Sequence, residues 1–407
     1  MADERFRPAR IPRRKGRLRG RVRGVLICIL VLVALGGVVV WLSKAIQTRT
    51  AERIANQHSL GSSLFEDGKY DEAAQVLGEL VKGRRGSPHV EDALRKLGQI
   101  AERTGKYEQA RTYWQRLAEE FADGPSVHEA TYHIGLCLEN EQGQRSRAEQ
   151  YYGQVVSSVT GGTYAVLATC GLGRLAESDG KLEQARDLYR EAVSKAPEGT
   201  PESAEAVELL GEANVRLIFS GTKTRDSQLY TVKPGDTASS IGEKFNTTQA
   251  LILRANGIES PAALRVNRTL KITPKKFSIL IRKSDFTLTL YDNGALFKRY
   301  QVGLGRPEHP TPAGAYVIES KIVSPTWYSP SGKVIPPLSP ENELGTRWMG
   351  LKPLGPDLPH DLGIHATIDP SSIGWASSRG CPRMHQEDAE ELFDLVTIGT
   401  EVTIVGE

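Results

Sequence analysis

Cysteine is scarce in this chain, and its scarcity excludes two kinds of structure. The 407 residues contain 4 cysteines, too few and too widely spaced for the disulfide framework of a small exported protein. Cysteine and histidine together match no zinc-ligand spacing, so we expect no metal site. Cys137 and Cys170 either pair with each other or, as their apolar helical positions favour, are separate core residues.

Net charge is also small, but it is unevenly distributed. The chain carries a net charge of +3, with 39% hydrophobic and 25% charged residues, a composition of globular rather than disordered protein. Its length is too great for one compact core and predicts two to four domains. Residues 1–23 are crowded with Arg and Lys, with Asp3 and Glu4 as the only acids. This segment is either a nucleic-acid-binding arm or a basic cytoplasmic tail.

An uncharged apolar run follows the basic segment and decides between these alternatives. Residues 24–42 are long enough to cross a bilayer as one transmembrane helix. Positive charge on the N-terminal side keeps that side cytoplasmic, so we expect every residue after Lys44 to face outward and no nucleic acid to be bound. The run is longer than the core of a cleaved signal peptide, and 38–41 is a poor cleavage site. An uncleaved signal anchor is therefore predicted, with a cleaved signal as the alternative.

A glycine-centred motif recurs along residues 51–219. Gly-Lys-Tyr-Asp-Glu-Ala begins at Gly68 and returns, with substitutions, at Gly105, Gly143 and Gly180, at intervals of 37, 38 and 37 residues. Apolar-periodic segments flank each glycine, so the glycine ends one helix and a small alanine packs the next helix against it. The pattern resembles a tetratricopeptide array of four helix pairs, an α-solenoid. Such arrays bind proteins; a protein partner on the array and a role as a plain spacer both stay open.

A compact unit is predicted over residues 229–273, after a polar linker at 220–228. A strand, a Pro-Gly-Asp turn, two short helices and a closing strand follow in order. This unit resembles a LysM module, a βααβ fold that binds glycans containing N-acetylglucosamine. The resemblance implies glycan contacts from Gly235, Asp236, Thr237 and Ile258. The alternative is that Pro-Gly-Asp is only a turn and a helix cap.

The run 378–384, Ser-Arg-Gly-Cys-Pro-Arg-Met, has the requirements of a thiol nucleophile, with His365 sixteen residues before Cys381. A thiol of pKa about 8.5 is only slightly ionised at neutral pH, so a nucleophilic cysteine needs an imidazole to take its proton. The backbone N–H groups of Gly380 and Cys381 are candidate oxyanion donors. His365 is preferred as the base because its apolar run can hold it rigidly. Three other histidines lie beside proline or in polar sequence: His309, His360 and His385.

The segment 277–406 resembles the L,D-transpeptidase catalytic domain, the YkuD-type fold. The ordered matches are Val-Gly-Leu-Gly, Thr-Pro-Ala-Gly, Asn-Glu-Leu-Gly-Thr-Arg-Trp-Met, Gly-Ile-His and the cysteine run, at 302–305, 311–314, 342–349, 363–365 and 378–384. The resemblance implies a mainly β domain with one helix at 386–396 and a site on a turn at one edge. It implies that Cys381 takes the acyl group, His365 is the base and Gly380 helps to hold the oxyanion. The substrate groove would be formed by Ser378, Arg379, Arg383, Gly314 and Trp327.

Three positions depart from the family pattern. Arg379 stands where histidine is frequent, Pro382 where an aliphatic residue is usual, and Ala366 where many relatives have glycine. Proline lacks an N–H group, so Pro382 cannot serve as an oxyanion donor. The nucleophile and the base are both retained.

Together the resemblances imply a multidomain enzyme of the bacterial cell envelope. A single span would anchor it in the cytoplasmic (inner) membrane, with the C-terminal domains in the periplasm or outer wall zone. It would bind peptidoglycan and form cross-links, or attach a protein, through a Cys381 thioester that needs no cofactor. Carbapenems acylate such thiols in the family. Two alternatives stay open: an L,D-carboxypeptidase or endopeptidase with the same site, and an inactive peptidoglycan-binding scaffold.

Overall fold

The N-terminal part of the chain is one long helix. The structure, a computed structural model, describes the backbone of residues 17–406 and the side chains of residues 30–406. Helix α1 (Arg17–Glu66) is continuous over 50 residues. Within the described chain it is the one helix long and apolar enough to cross a membrane, and the apolar side chains of residues 30–42 are exposed. The predicted basic tail lies outside the described residues, apart from the backbone of 17–23.

Eight further helices follow before the first strand. Counted from α1, they form four helix pairs joined by short turns, as the repeat predicts, and the last of them, α9, closes the region without a partner of its own. Contacts divide the chain into two compact units, up to Ala130 and from Thr131, so the boundary falls within α5. The bounds are α2 (Tyr70–Val81), α3 (Pro88–Arg103), α4 (Tyr107–Glu120), α5 (Ser126–Asn140), α6 (Arg145–Ser158), α7 (Thr163–Ser178), α8 (Leu182–Lys195) and α9 (Pro201–Phe219).

The repeated glycines and alanines take the places that the sequence predicts. Each glycine between paired helices has a positive φ, between +70° and +75°, which lets the chain leave one helix and enter the next without Cβ strain. The alanine five residues later is fully buried in every repeat. These alanines are Ala73, Ala110, Ala148 and Ala185. Cys137 and Cys170 are buried and are not joined in a disulfide, so the prediction that they are separate core residues is confirmed.

A second repeated packing contact joins the helices of a pair. In α7, a Cβ placed on Gly173 would lie 2.3 Å from the ring of Tyr189, so only glycine lets that ring lie flat against the helix. The Tyr189 hydroxyl donates to Glu177, four residues after the glycine, at 3.0 Å. The same combination of glycine, aromatic ring and glutamate occurs at Gly98, Trp114 and Glu102 in the first unit, and at Gly135, Tyr152 and Glu139 in the second.

This packing contact predicts opposite effects on stability for two glycine-to-alanine changes. Gly173→Ala should destabilise the protein by about 1–3 kcal/mol, because the new methyl group overlaps the Tyr189 ring. Gly153→Ala, in α6, meets no atom within 4 Å and should stabilise by up to about 1 kcal/mol through helix propensity. Urea unfolding of the whole chain, followed by circular dichroism, measures both. Equal effects of the two changes would contradict the packing described.

The next 45 residues form the predicted βααβ unit. Strands β1 (Gln228–Thr231) and β2 (Thr269–Ile272) pair antiparallel and enclose helices α10 (Ala238–Lys244) and α11 (Gln249–Ala255), with a 3₁₀ turn at Pro261–Ala263. Thr237 caps α10 by accepting a hydrogen bond from the Ser240 N–H at 3.0 Å. The module has its own small apolar core, which includes Ile241, Ile252 and Leu270.

The C-terminal domain is built on one eight-stranded mixed sheet with helix α12 packed against it. The sheet order is β13-β11-β10-β7-β14-β3-β4-β5, with two further short pairs, β12-β6 and β8-β9. The bounds are β3 (Phe277–Arg282), β4 (Thr287–Asp292), β5 (Ala295–Gln301), β6 (Leu304–Gly305), β7 (Gly314–Val323), β8 (Trp327–Tyr328), β9 (Val334–Ile335), β10 (Arg347–Pro353), β11 (Gly363–Ala366), β12 (Ala376–Ser378), β13 (Arg383–Met384), α12 (Gln386–Leu395) and β14 (Glu401–Val405). The mainly β architecture and its single α-helix are confirmed.

The last repeat helix packs directly on this sheet. Val215 and Ile218 of α9 belong to the same apolar core as the sheet residues. The buried Asn214 side chain donates to the Phe297 carbonyl of β5 at 2.8 Å, which satisfies both polar groups away from water. Helix α9 is therefore part of the structural support of the C-terminal domain.

The LysM-like module is fixed in the same unit by buried polar contacts. Lys271 donates to the carbonyls of Leu217 and Ser220 at 2.7 and 2.8 Å, and so caps the C-terminal end of α9. Desolvation lowers the pKa of Lys271 to about 8. Arg254 of α11 forms an ion pair with Asp394 of α12 at 2.8 Å. The polar linker predicted at 220–228 therefore joins elements that pack against each other.

Candidate functional site

The turn that carries Cys381 is held by hydrogen bonds on both sides of Gly380. The φ of Gly380 is +123°, a region that favours glycine. Its N–H donates to the buried Ser378 hydroxyl at 3.1 Å, and its carbonyl accepts from the Thr311 hydroxyl at 2.7 Å. Thr311 also accepts from the Gly305 N–H at 2.9 Å, which ties the turn to the strand beside it. The turn is thus ordered before any ligand binds.

These bonds correct part of the oxyanion prediction. The Gly380 N–H is committed to Ser378, so it is not a free donor, and Pro382 has no N–H. The Cys381 N–H makes no hydrogen bond to any described residue, which leaves it available to a developing negative charge. Ser378 therefore orders the turn, and the Cys381 amide is the better candidate for the oxyanion.

The Cys381 thiol is held in its protonated form by its surroundings. Burial raises its pKa most; the hydrogen bond with the Gly363 backbone partly offsets this, and the smaller charge effects of Asp361 and Arg383 raise and lower the pKa respectively. The thiol donates to the Asp361 main-chain carbonyl, with a sulfur–oxygen distance of 4.0 Å. A protonated thiol is a poor nucleophile, so this cysteine needs a base.

His365 is brought to the cysteine by strand pairing. Strands β11 and β13 are parallel neighbours, and His365 is paired with Arg383. The backbone N–H of His365 donates to the Pro382 carbonyl at 3.1 Å. The imidazole Nδ1 lies 2.6 Å from the Ala366 carbonyl. A carbonyl only accepts, so Nδ1 carries the proton and Nε2 has a free lone pair.

The lowered pKa of His365 agrees with a neutral ring that has a free lone pair on Nε2. Burial lowers its pKa to about 4, and the positive charge of Arg383 also lowers it, while the bond to Ala366 raises it. The ring is therefore neutral at physiological pH and can accept a proton. Among the described residues, the hydrogen-bond acceptor of the thiol is the Asp361 carbonyl rather than the imidazole.

Trp348 is a site residue that sequence reasoning did not identify. It is the cross-strand partner of His365, and the two rings stack with centroids 5.8 Å apart and planes inclined at 26°. A Cβ on Gly363 would lie 2.4 Å from the indole, and one on Gly350 would lie 3.0 Å from its Nε1. Two glycines therefore make the space in which the indole orients the base. Trp348 was visible in the sequence motif, but its role depends on strand register.

A cavity of about 550 Å³ opens at this turn. Arg383 in its wall pairs with Glu343 at 3.1 Å. The β8–β9 hairpin also contributes aromatic and proline side chains to the lining. The lining residues predicted from sequence are His365, Ser378, Arg379, Cys381, Arg383 and Trp327; those not predicted include Glu343, Leu344, Trp348, Tyr328 and Asp361. His309, His360 and His385 are not among the lining residues.

Gly314 does not line this cavity, so the structure does not support its predicted place in the groove. It begins β7, where it pairs with Ile404, and a Cβ at this position would lie 2.6 Å from the Leu358 side chain. The glycine thus makes room for Leu358 rather than for a ligand.

Three family models match the chain in succession. They are the tetratricopeptide repeat (58–125, 95–156, 139–200 and 170–217), the LysM domain (230–273) and the L,D-transpeptidase catalytic domain (276–404). The putative L,D-transpeptidase YkuD of Bacillus licheniformis is 32% identical over 182 residues, which cover 43% of this chain and 98% of that protein. The chain belongs to the L,D-transpeptidase family.

The chain is also similar to further members of the family. The putative L,D-transpeptidase YkuD of Bacillus subtilis is 32% identical over 43% of this chain and 97% of that protein. Among solved structures, L,D-transpeptidase 3 from Mycobacterium tuberculosis is 20% identical with a TM-score of 0.27, over 34% of this chain and 64% of that chain. The resemblances to all three families inferred from the sequence are confirmed.

The four predicted glycan contacts have different surroundings in the LysM domain. Asp236 accepts from the Tyr230 hydroxyl at 2.7 Å and from the Lys233 N–H at 2.8 Å, and Thr237 caps α10, so both side chains are used locally. Ile258 is 5% exposed within the module core. Its side chain is therefore not available to a ligand, which corrects that prediction. Gly235 lies at the turn with a φ of +89°.

A second cavity, of about 600 Å³, lies where the LysM domain meets the catalytic domain. Its walls come from Asn246, the segment Lys275–Ser278, the β4–β5 turn and the loop after α12. Its lining residues include no cysteine or histidine. Of these two cavities, the one at Cys381 therefore combines a cysteine with a histidine.

Proposed function

We propose that this protein is a peptidoglycan L,D-transpeptidase with Cys381 as its nucleophile. In the first half-reaction the sulfur attacks the carbonyl carbon of the amide before the terminal D-residue of a tetrapeptide stem. A thioester forms and the D-amino acid leaves. In the second half-reaction a side-chain amine of another stem attacks the thioester and completes a cross-link. The observation that carries the proposal is the cavity that holds Cys381 and His365 together.

The proton transfers follow from the tautomer of His365. Its Nε2 accepts the thiol proton as the sulfur bonds to the carbonyl carbon, and the resulting imidazolium gives that proton to the leaving amine. The bond between Nδ1–H and the Ala366 carbonyl keeps the ring oriented, and it stabilises the imidazolium that forms. The free Cys381 N–H donates to the tetrahedral oxyanion. The second half-reaction uses the same transfers in reverse order.

The stem peptide fits the chemistry of the cavity walls. Trp327 and the neighbouring apolar side chains provide surface for the aliphatic parts of the stem. Arg383 and Arg379 provide guanidinium groups for its carboxylates. Arg383 is held by Glu343, so it presents a fixed donor, whereas Arg379 is exposed.

The other parts of the chain support a role at the cell wall. The proposal includes an N-terminal span that anchors the enzyme in the cytoplasmic membrane and a LysM domain that binds the glycan strands through the Gly235 turn. The repeat helices form either a binding surface for a protein partner or a spacer. An anchor and a glycan-binding domain raise the effective concentration of stems near Cys381, which favours a reaction between two polymer-bound substrates.

Incubation of the purified full-length protein with sacculi tests this function against hydrolysis at the same site. We expect muropeptide mass spectrometry to show dimers joined through two diamino acid residues, absent when Cys381→Ala protein is used. Trimmed monomers without dimers would instead identify an L,D-carboxypeptidase or endopeptidase. Unchanged muropeptides would favour an inactive scaffold.

A further inference from the structure

Trp375 is an exposed tryptophan that the chemistry described above does not use. It is 70% exposed, whereas Trp114 is buried and both Trp327 and Trp348 are partly buried. The fifth tryptophan, Trp41, lies in the apolar run of α1 that is proposed to span the membrane. The Trp375 side chain forms no hydrogen bond or ring contact with any described residue. A large aromatic ring left in water is a candidate binding surface.

The backbone on both sides of this indole is fixed. Gly374 has a φ of +81°, and its N–H donates to the Val302 carbonyl at 3.1 Å. The Trp375 carbonyl accepts from the Leu304 N–H at 3.0 Å, and the residue directly precedes strand β12. The indole is therefore carried by an ordered segment, so little backbone entropy is lost when a ligand packs against it.

Strand β12 connects Trp375 to the Cys381 cavity. Ser378, at the other end of the strand, lines the cavity, and so does Arg379 after it. Consecutive Cα atoms are about 3.8 Å apart, so the Cα atoms of Trp375 and Ser378 are at most about 11 Å apart. Ala376 and Ser377 between them are exposed and have small side chains. The chain between the cavity and the indole therefore carries no bulky side chain that would separate them.

The length of this strip matches the donor of the proposed reaction. The attacked carbonyl belongs to the third residue of the stem, and the first residue is joined through its nitrogen to a lactyl group on a sugar of the glycan strand. Three extended residues span roughly 10–11 Å. Cys381 is six residues from Trp375, and the turn at Gly380 makes the direct distance shorter than the roughly 20 Å of an extended chain. The sugar and the indole are therefore within the same range of the sulfur.

We propose that the Trp375 indole stacks against the sugar ring that carries the donor stem. The C–H groups on one face of a pyranose ring are apolar and pack flat on an aromatic ring, while the hydroxyl groups stay in water. The enzyme then selects stems that are attached to glycan over free stem peptides. This inference rests on the proposed function and adds a specificity-determining residue to it.

The test compares two donors with the full-length protein in detergent, a disaccharide tetrapeptide and the same tetrapeptide without sugar. Release of the terminal D-amino acid gives kcat and KM for each. Wild type should have the lower KM for the disaccharide tetrapeptide. Trp375→Ala should raise that KM about tenfold, a usual effect of truncating a tryptophan at a binding surface, and leave kcat and the KM for the free tetrapeptide unchanged. Trp375→Phe keeps an aromatic ring and should restore part of the difference.

Two controls separate sugar recognition from a loss of structure. Leu354→Ala removes another exposed apolar side chain, 60% exposed and outside both cavity linings, and should behave as wild type with both donors. Trp375→Ala protein should form the carbapenem adduct at the wild-type rate, because that reaction involves no sugar. Unless Trp375→Ala raises the KM of the sugar-bearing donor selectively, the inference is wrong and the proposed function stands. If wild type releases no D-amino acid from either donor, the proposed function fails and the inference fails with it.

Discussion

Replacing Cys381 by alanine is expected to abolish acyl-enzyme formation and all transfer products. The side chain is the one thiol that lines the cavity, and the Ser378 hydroxyl is buried and occupied by the Gly380 N–H. No second nucleophile is therefore positioned to replace it. The direct measurement is intact-protein mass spectrometry after incubation with a carbapenem. Wild type should gain the mass of one opened β-lactam, and the Cys381→Ala protein should gain none.

A matched control separates loss of the nucleophile from loss of structure. Cys170 is a buried helix residue, and burial raises its pKa to about 12, so it should not react. Cys170→Ala protein should therefore form the same adduct as wild type. Cys381→Ala protein should keep the circular dichroism spectrum of wild type and still sediment with sacculi. Cross-linked dimers formed by the Cys381→Ala protein would rule out the thioester mechanism.

Replacing His365 by glutamine should lower the acylation rate at pH 7 by about 10²–10⁴-fold, the usual effect of losing a general base. The pH dependence should change as well. The pKa of His365 is lowered to about 4, so the wild-type base is neutral, and the rate nearly constant, from about pH 5 upward. The variant depends on spontaneous ionisation of a thiol whose pKa is raised. Its rate should therefore rise about tenfold per pH unit through the neutral range.

The pH profile distinguishes a base from a merely structural residue. A structural change would lower the rate equally at every pH, whereas loss of the base changes the slope. His385→Gln is the control, because His385 precedes α12 and does not line the cavity. It should keep the flat profile. A flat profile in His365→Gln protein, at any absolute rate, would mean that another group takes the thiol proton.

Several parts of the site could be predicted from local sequence because their chemistry is local. The turn around Gly380 is sufficient to expose Cys381 to a ligand, and that turn follows from the local sequence. The apolar residues around His365 predict strand β11, which holds the histidine. The repeat glycines and alanines likewise follow from contacts within one helix pair. Interactions over a few residues leave a periodic pattern, and such a pattern can be identified in a single sequence.

Other parts could not be predicted, because they depend on which strands become neighbours. Trp348 orients His365 only because β10 pairs with β11 in one register. Asp361 approaches the Cys381 sulfur through its main chain, twenty residues away along the sequence. The burial of Ile258 likewise depends on how the elements of the LysM domain pack together. In each case the sequence gives the residue type, but the residues that it contacts are decided by strand pairing and packing.

The sequence by itself determined the order of the domains, the apolar run of the N-terminal helix and the repeat period, and it supplied the proposal that Cys381 is the nucleophile and His365 the base. It did so because composition, periodicity and short motifs are properties of neighbouring residues. Only the tertiary structure decided the tautomer of His365, the free oxyanion donor, the residues that line the cavity and the packing of α9 and the LysM domain on the catalytic domain. The domain packing and the composition of the cavity depend on distances between residues far apart in the chain, which exist only once the sheet has formed and its core is closed. The His365 tautomer and the Gly380 bond are local, but they depend on backbone geometry that the folded strand and turn impose.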